Sequence, residues 1–186
     1  MNGKKVIMSY CRLSPEKFVD DMIKSLQLIK NERDDVCLLI IGDGSEKYNL
    51  IALVSDLGLE DCVRFENSMS QEKIAAIINH CDILIQFIGG KGMFESALAG
   101  KPMITYDMGD YFGLIEHMKT ALIAKNRNIN DLANCINIYL NDSALCKKLG
   151  NKLQKRAIEH NDWAKTNEKL ETAIEEAISE RQSINL

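Results

Sequence analysis

Short runs of aliphatic and β-branched residues alternate with longer amphipathic stretches along most of this chain. The apolar runs fall at about residues 4–10, 36–41, 62–66, 82–87, 102–106 and 121–124, lengths that suit strands better than helices. Between them, apolar residues recur at three-to-four spacing and predict helices over about 46–57, 71–80, 92–99, 130–140 and 142–160. A further helix follows the first strand. It is expected to open with Ser14 as N-cap and Pro15 at the first helical position, and to bury Phe18, Met22, Leu26 and Ile29.

Strands such as Val36-Cys37-Leu38-Leu39-Ile40-Ile41 are apolar at every position, so the sheet should be covered on both faces. Alternating strands and helices of this kind imply an α/β fold, a doubly wound, Rossmann-like parallel sheet of six strands. Ligands of such sheets bind beyond the carboxyl ends of the strands, where the strand order reverses. Residues 1–162 are expected to form this domain. The stretch 163–186 reads as a terminal helix with a narrow stripe of Trp163, Leu170, Ile174 and Ile178, suited to packing on something outside the domain.

Composition narrows the function. The 186 residues are 46% hydrophobic and 27% charged with only two prolines, which is an ordinary globular balance. A net charge of -4 disfavours nucleic acid, because binding to a phosphate polymer needs a broad basic surface. The six cysteines contain no CxxC pair and the three histidines are scattered, so the expected state is reduced, cytoplasmic and without a metal site. No apolar run is long enough to span a bilayer.

Four segments just after strands carry candidate chemistry. Arg12-Leu13-Ser14-Pro15-Glu16-Lys17 places two cations beside a helix N-terminus, a cradle for a diphosphate; alternatively Arg12 pairs with an acidic neighbour and Lys17 is merely solvated. Gly42-Asp43-Gly44 turns the chain from strand into helix but lacks the third glycine and the position of a dinucleotide fingerprint. Gly89, Gly90 and Gly92 allow backbone amides to approach an anion, and Glu95 could accept from ribose hydroxyls or simply stabilise a helical turn. Tyr106-Asp107-Met108-Gly109-Asp110-Tyr111-Phe112 is a turn that could border a ligand, with Asp107 and Asp110 just as easily turn residues.

In order, these segments resemble the C-terminal domain of family 4 (group 1) glycosyltransferases, retaining enzymes of the GT-B fold that use nucleotide sugars. The landmarks are Arg12 to Lys17, Ile40 to Gly44, Leu57 to Phe65, Phe94 to Pro102 and Ile115 to Thr120. The resemblance implies that Arg12 and Lys17 hold the diphosphate, Glu95 the ribose, and the loop of Gly89, Gly90 and Gly92 supplies amides. It further implies that the acceptor binds a separate N-terminal domain, that no cofactor is needed beyond the nucleotide-sugar donor, and that this chain alone is inactive. Catalytic residues are not identified. Three departures stand out: Phe87 occupies the place of the first glutamate of a Glu-x7-Glu pattern, with Asp82 the only other acid between Cys81 and Glu95, and Cys11 and Phe18 replace glycines that flank the Arg-to-Lys segment.

The leading expectation is the donor-binding part of a glycosyltransferase acting on a glycan or lipid-linked acceptor in polysaccharide biosynthesis, a role compatible with peripheral membrane association of the full-length enzyme. A non-catalytic nucleotide-sugar-binding or scaffolding module is the alternative. A GT-B epimerase ranks third.

Overall fold

The computed structural model describes residues 3–88, 91–109, 111 and 113–160. Six strands, β1 (Lys5–Tyr10), β2 (Val36–Ile41), β3 (Val63–Glu66), β4 (Ile83–Ile85), β5 (Met103–Tyr106) and β6 (Leu122–Ala124), form one sheet. The helices are α1 (Val19–Lys30), α2 (Lys47–Asp56), α3 (Gln71–Ile78), α4 (Lys91–Leu98), α5 (Ile129–Asn141) and α6 (Ser143–His160). The expected α/β, doubly wound six-stranded sheet is therefore present, every pairing being parallel in the order β3-β2-β1-β4-β5-β6.

Period-two alternation along each strand divides the core between the two faces. Ile7, Leu38, Ile40, Ile83, Ile85, Ile104 and Tyr106 join α1 and α5. Met8, Tyr10, Leu39, Ile41 and Leu84 meet Ile78 of α3, while Met103 packs with α4 and α6. At the amino edge, Asp82 accepts from Lys5 Nζ and from the Val6 amide, each at 2.9 Å, and so pins β4 to β1. On the outer face, a Cβ added at Gly150 would lie 2.2 Å from the Gly100 carbonyl, so α6 crosses that turn with glycine against backbone.

One helix departs from expectation. Pro15–Lys17 is a separate 3-10 turn, and Phe18 is a left-handed residue (φ 49°, ψ 38°) from which α1 starts afresh at Val19. Met22, Leu26 and Ile29 are buried as expected, but Phe18 lies outside the helix and is half-buried. Ser14 makes no side-chain cap; its Oγ donates to Glu16 instead. The helix expected from about residue 92 starts at Lys91, so Gly92 lies in its first turn. Gly89, Gly90, Asp110 and the 163–186 stripe lie outside the described residues.

Candidate functional site

The strand order reverses between β1 and β4, so the crevice belongs at the carboxyl ends of these two strands. Tyr10, the last residue of β1, fixes its geometry. Its hydroxyl donates to the Gly92 carbonyl at 2.7 Å and lies 3.0 Å from Ser96 Oγ, tying the first turns of α4 to the end of β1. Gln86 Nε2 donates to the Tyr10 carbonyl at 3.3 Å from the end of β4. Burial raises the Tyr10 phenol to about 12, so it stays a neutral donor at physiological pH.

The segment after β1 is held by the turn after β2. The Cys11 amide donates to the Ile41 carbonyl at 3.0 Å, Leu13 N–H to Asp43 at 2.9 Å, and Glu46 N–H back to Leu13 at 3.0 Å. This zipper needs glycine. A Cβ at Gly42 would sit 1.9 Å from the Cys11 carbonyl oxygen, and one at Gly44 would sit 2.2 Å from that of Leu13. Gly42 and Gly44 therefore let the neighbouring loop approach the turn backbone to backbone. Cys11 itself is half-buried, and its thiol is pushed up to about 11 chiefly by burial, which keeps it protonated.

On this braced segment Arg12 is exposed and Lys17 half-buried, and among the described residues neither has an ion pair. The acid between them, Glu16, is exposed and accepts from Ser14 Oγ; its carboxyl is held below the ordinary value by that bond first and in lesser part by the charges of Arg12 and Lys17, with an ion pair to neither among the described residues. Two cations beside a reversal point thus remain available to an anion.

Behind the segment lies a cluster that joins two of the departures noted in the sequence. Phe87 stacks on Tyr106 with centroids 4.0 Å apart and planes 10° from parallel, and Phe18 tilts against both at 6.5 and 6.4 Å. The Arg127 guanidinium carbon lies 4.5 Å from the Phe18 ring centroid, while its Nε reaches Asp21 at 3.2 Å. Asp21, only 1% exposed, also accepts from the Tyr106 hydroxyl at 2.9 Å. Burial raises the Asp21 carboxyl above its ordinary value, opposed by the Tyr106 hydrogen bond and the Arg127 charge. Arg127, like Phe18, has a left-handed backbone (φ 56°). Such a conformation costs a side-chain-bearing residue about 1–2 kcal/mol, and a cation–ring contact offsets roughly 0.5–2 kcal/mol.

Phe87 is 3% exposed and faces this core, so its position offers no side chain to a ligand. Asp82 cannot substitute for an acid there, since it sits at the opposite edge of the sheet with Lys5. Glu95, on α4, accepts from Gln71 Nε2 of α3 at 2.8 Å and borders a cavity of about 340 Å³ between the two helices. The structure thus brings Gly92 to the reversal point through Tyr10 and orients Glu95 toward α3. Another cavity, of about 400 Å³ beside Lys5, Lys101 and Cys146, opens at the amino edge, away from the reversal. Lys101 there donates to the carbonyls of Asn79 and Cys81. Among the described residues no group of three or more His, Cys, Asp or Glu side chains is placed to hold a metal ion. No helix among them is long and apolar enough to cross a membrane.

Arg127 and Asp21 escape the sequence reading. Arg127 follows β6 at the same carboxyl edge as the four scrutinised segments, so extending the strand-end rule to the last strand would have raised it. Asp21 carries no comparable signal, because an acid in the first turn of a helix is ordinarily a solvated one.

Comparison with known proteins identifies a family. The sequence model described as "Glycosyl transferases group 1" matches residues 1–160. Similar curated proteins include a 2-deoxystreptamine glucosyltransferase of Streptomyces kanamyceticus, 25% identical over 147 residues, covering 76% of this chain and 38% of that protein. The poly(ribitol-phosphate) alpha-N-acetylglucosaminyltransferase of Staphylococcus aureus is 26% identical over 162 residues, covering 84% of this chain and 32% of that protein. The chain thus spans well under half the length of these curated relatives. Similar solved structures include HepE of Anabaena in complex with UDP, with a TM-score of 0.83 at 23% identity, covering 94% of this chain and 49% of that one. The C-terminal domain of the group 1 glycosyl transferase LpcC of Francisella tularensis has a TM-score of 0.76 at 17% identity, covering 84% of this chain and 86% of that one.

Proposed function

Because this chain belongs to the group 1 glycosyl transferase family, we propose that it is the donor-binding part of a retaining glycosyltransferase that moves a sugar from a nucleoside diphosphate sugar to a glycan or lipid-linked acceptor. The observation that carries the reading is the pair of cations Arg12 and Lys17, without ion pairs among the described residues, on a braced segment at the β1–β4 reversal. In this reading Arg12 and Lys17 hold the diphosphate and stabilise the charge that develops on it as it leaves, electrostatically and without a metal. Gly89, Gly90 and Gly92 supply amides to the same group, and Glu95 receives the ribose hydroxyls. UDP is the first nucleotide to test, since HepE is seen with UDP and with UDP-glucose.

The acceptor and further catalytic groups belong to an N-terminal domain in the complete enzyme, against which residues 163–186 would pack. The enzyme would work in the cytoplasm, peripherally at a membrane where its acceptor is lipid-linked. This chain alone would bind donor without turnover.

Calorimetric titration of the chain with UDP, GDP, dTDP and their sugars tests the donor site. Binding by one nucleotide class, weakened about tenfold by Arg12→Ala and by Lys17→Ala through loss of a charge-assisted contact, is the expected result. Absence of binding at millimolar ligand rejects the donor site; binding indifferent to both substitutions rejects the residues.

A second reading has one observation in its favour. Phe87 is buried where the resembling enzymes carry an acid, which suits a module that retains nucleotide binding without transfer. Assay of the complete protein for transfer separates the two.

A further inference from the structure

Phe18 closes the segment that carries Arg12 and Lys17, and its backbone is left-handed although it is not glycine. Locally Phe18 is the left-handed cap of the Pro15–Lys17 turn, its amide donating to the Pro15 carbonyl at 3.2 Å, as Lys17 N–H does to Ser14 at 2.9 Å, a place that glycine ordinarily takes. What holds its side chain lies across the sheet edge. The guanidinium of Arg127 covers one side of the Phe18 ring at 4.5 Å, and the Phe87–Tyr106 stack supports it at 6.4 to 6.5 Å. Arg127 is in turn anchored to α1 by Asp20 at 3.5 Å and Asp21 at 3.2 Å, and Asp21 is fixed by the Tyr106 hydroxyl.

A loop after β6, the start of α1 and the end of β5 thus converge on one ring, and Lys17 is the residue immediately before it. We propose that Arg127 is a positioning residue for the anion-binding segment, acting through Phe18 to hold Lys17 in place before a ligand arrives. Its charge is committed to Asp20 and Asp21, so it serves as a brace and not as a ligand contact. Pre-organisation of this kind appears as affinity, because the segment need not be ordered at binding. The role rests on the nucleotide reading given above, whereas the brace itself does not.

The test joins amide hydrogen exchange with UDP calorimetry on the same chain, at a temperature where every variant is folded. Arg127→Ala is expected to speed exchange at Lys17 and Phe18 and to weaken UDP about tenfold. Phe18→Leu keeps the Arg127–Asp21 pair and removes the ring contacts with Arg127, Phe87 and Tyr106, so it guards against an Arg127 variant that folds poorly; it is expected to act in the same direction. Arg127→Lys preserves the charge toward Asp20 and Asp21 but lacks the planar guanidinium, and should restore stability more fully than affinity.

Unchanged exchange at Lys17 and Phe18 in both Arg127→Ala and Phe18→Leu overturns the brace. Faster exchange with wild-type UDP affinity overturns its role in binding. If Lys17→Ala weakens UDP while Arg127→Ala does not, the inference fails and the nucleotide reading stands. If the unaltered chain binds no UDP, the nucleotide reading fails together with the role assigned to Arg127, and exchange still reports whether the brace exists.

Discussion

The ring of Phe87 lies flat on the ring of Tyr106, 4.0 Å away and 10° from parallel, within the core shared by α1 and α5. A position that a sequence pattern marks for an acid is here an interior one. Phe87→Glu should therefore place a carboxylate without a cation into an apolar stack, lowering the unfolding free energy by about 3 kcal/mol or more. Phe87→Leu should cost only ~1 kcal/mol, mainly the ring–ring contact. Urea denaturation measures both. A Phe87→Glu chain as stable as the parent and tighter for nucleotide sugars than for nucleotides would show that the site had been misread.

Asp21 offers a pH test. Its carboxyl is raised in the folded chain, so the folded state holds that proton more tightly than the unfolded state does. The sign follows: Asp21 favours folding most at low pH, and this advantage is lost as pH rises from about 3.9, the ordinary carboxyl value, through the raised folded value. Asp21→Asn removes the titration. The stability of the parent relative to Asp21→Asn should accordingly improve as pH falls from 7 to 4. Denaturation curves across that range check it, and a flat or opposite trend would contradict the assigned environment of Asp21.

Two glycines separate crowding from backbone preference. Gly42→Ala drives a methyl to within 1.9 Å of the Cys11 carbonyl, so the 11–14 segment must move. The expected cost is about 2–3 kcal/mol, with weaker UDP binding because Arg12 moves with the segment. Gly58 has a left-handed φ of 64° but nothing within 4 Å of an added Cβ. Gly58→Ala should cost about 1 kcal/mol and leave ligand affinity unchanged. Equal effects of the two on affinity would remove the link between Gly42 and the site.

Much of this was legible in the residues. Periodicity located all six strands and the helices to within a few residues, because each element must bury one face or both and the spacing of apolar positions records which. Phe18 was assigned to the helix because its spacing from Met22 fits one. A left-handed residue leaves no mark in periodicity, so the break between Lys17 and Val19 was not visible. Gly42 and Gly44 read as a local turn because the atom that excludes a Cβ belongs to a segment 31 positions away, at Cys11 and Leu13.

The sequence alone determined that the chain is a parallel α/β sheet and that Arg12 and Lys17 stand together on one segment just after a strand. These follow from local spacing and from rules of strand connection. Only the tertiary structure decided that Phe18 and Phe87, 69 positions apart, are neighbours around Tyr106, and that Arg127 and Asp21 complete the cluster. The reason is physical: a stacked ring and an ion pair to a buried carboxylate are made by distances across the sheet edge, and no periodicity along the chain encodes them.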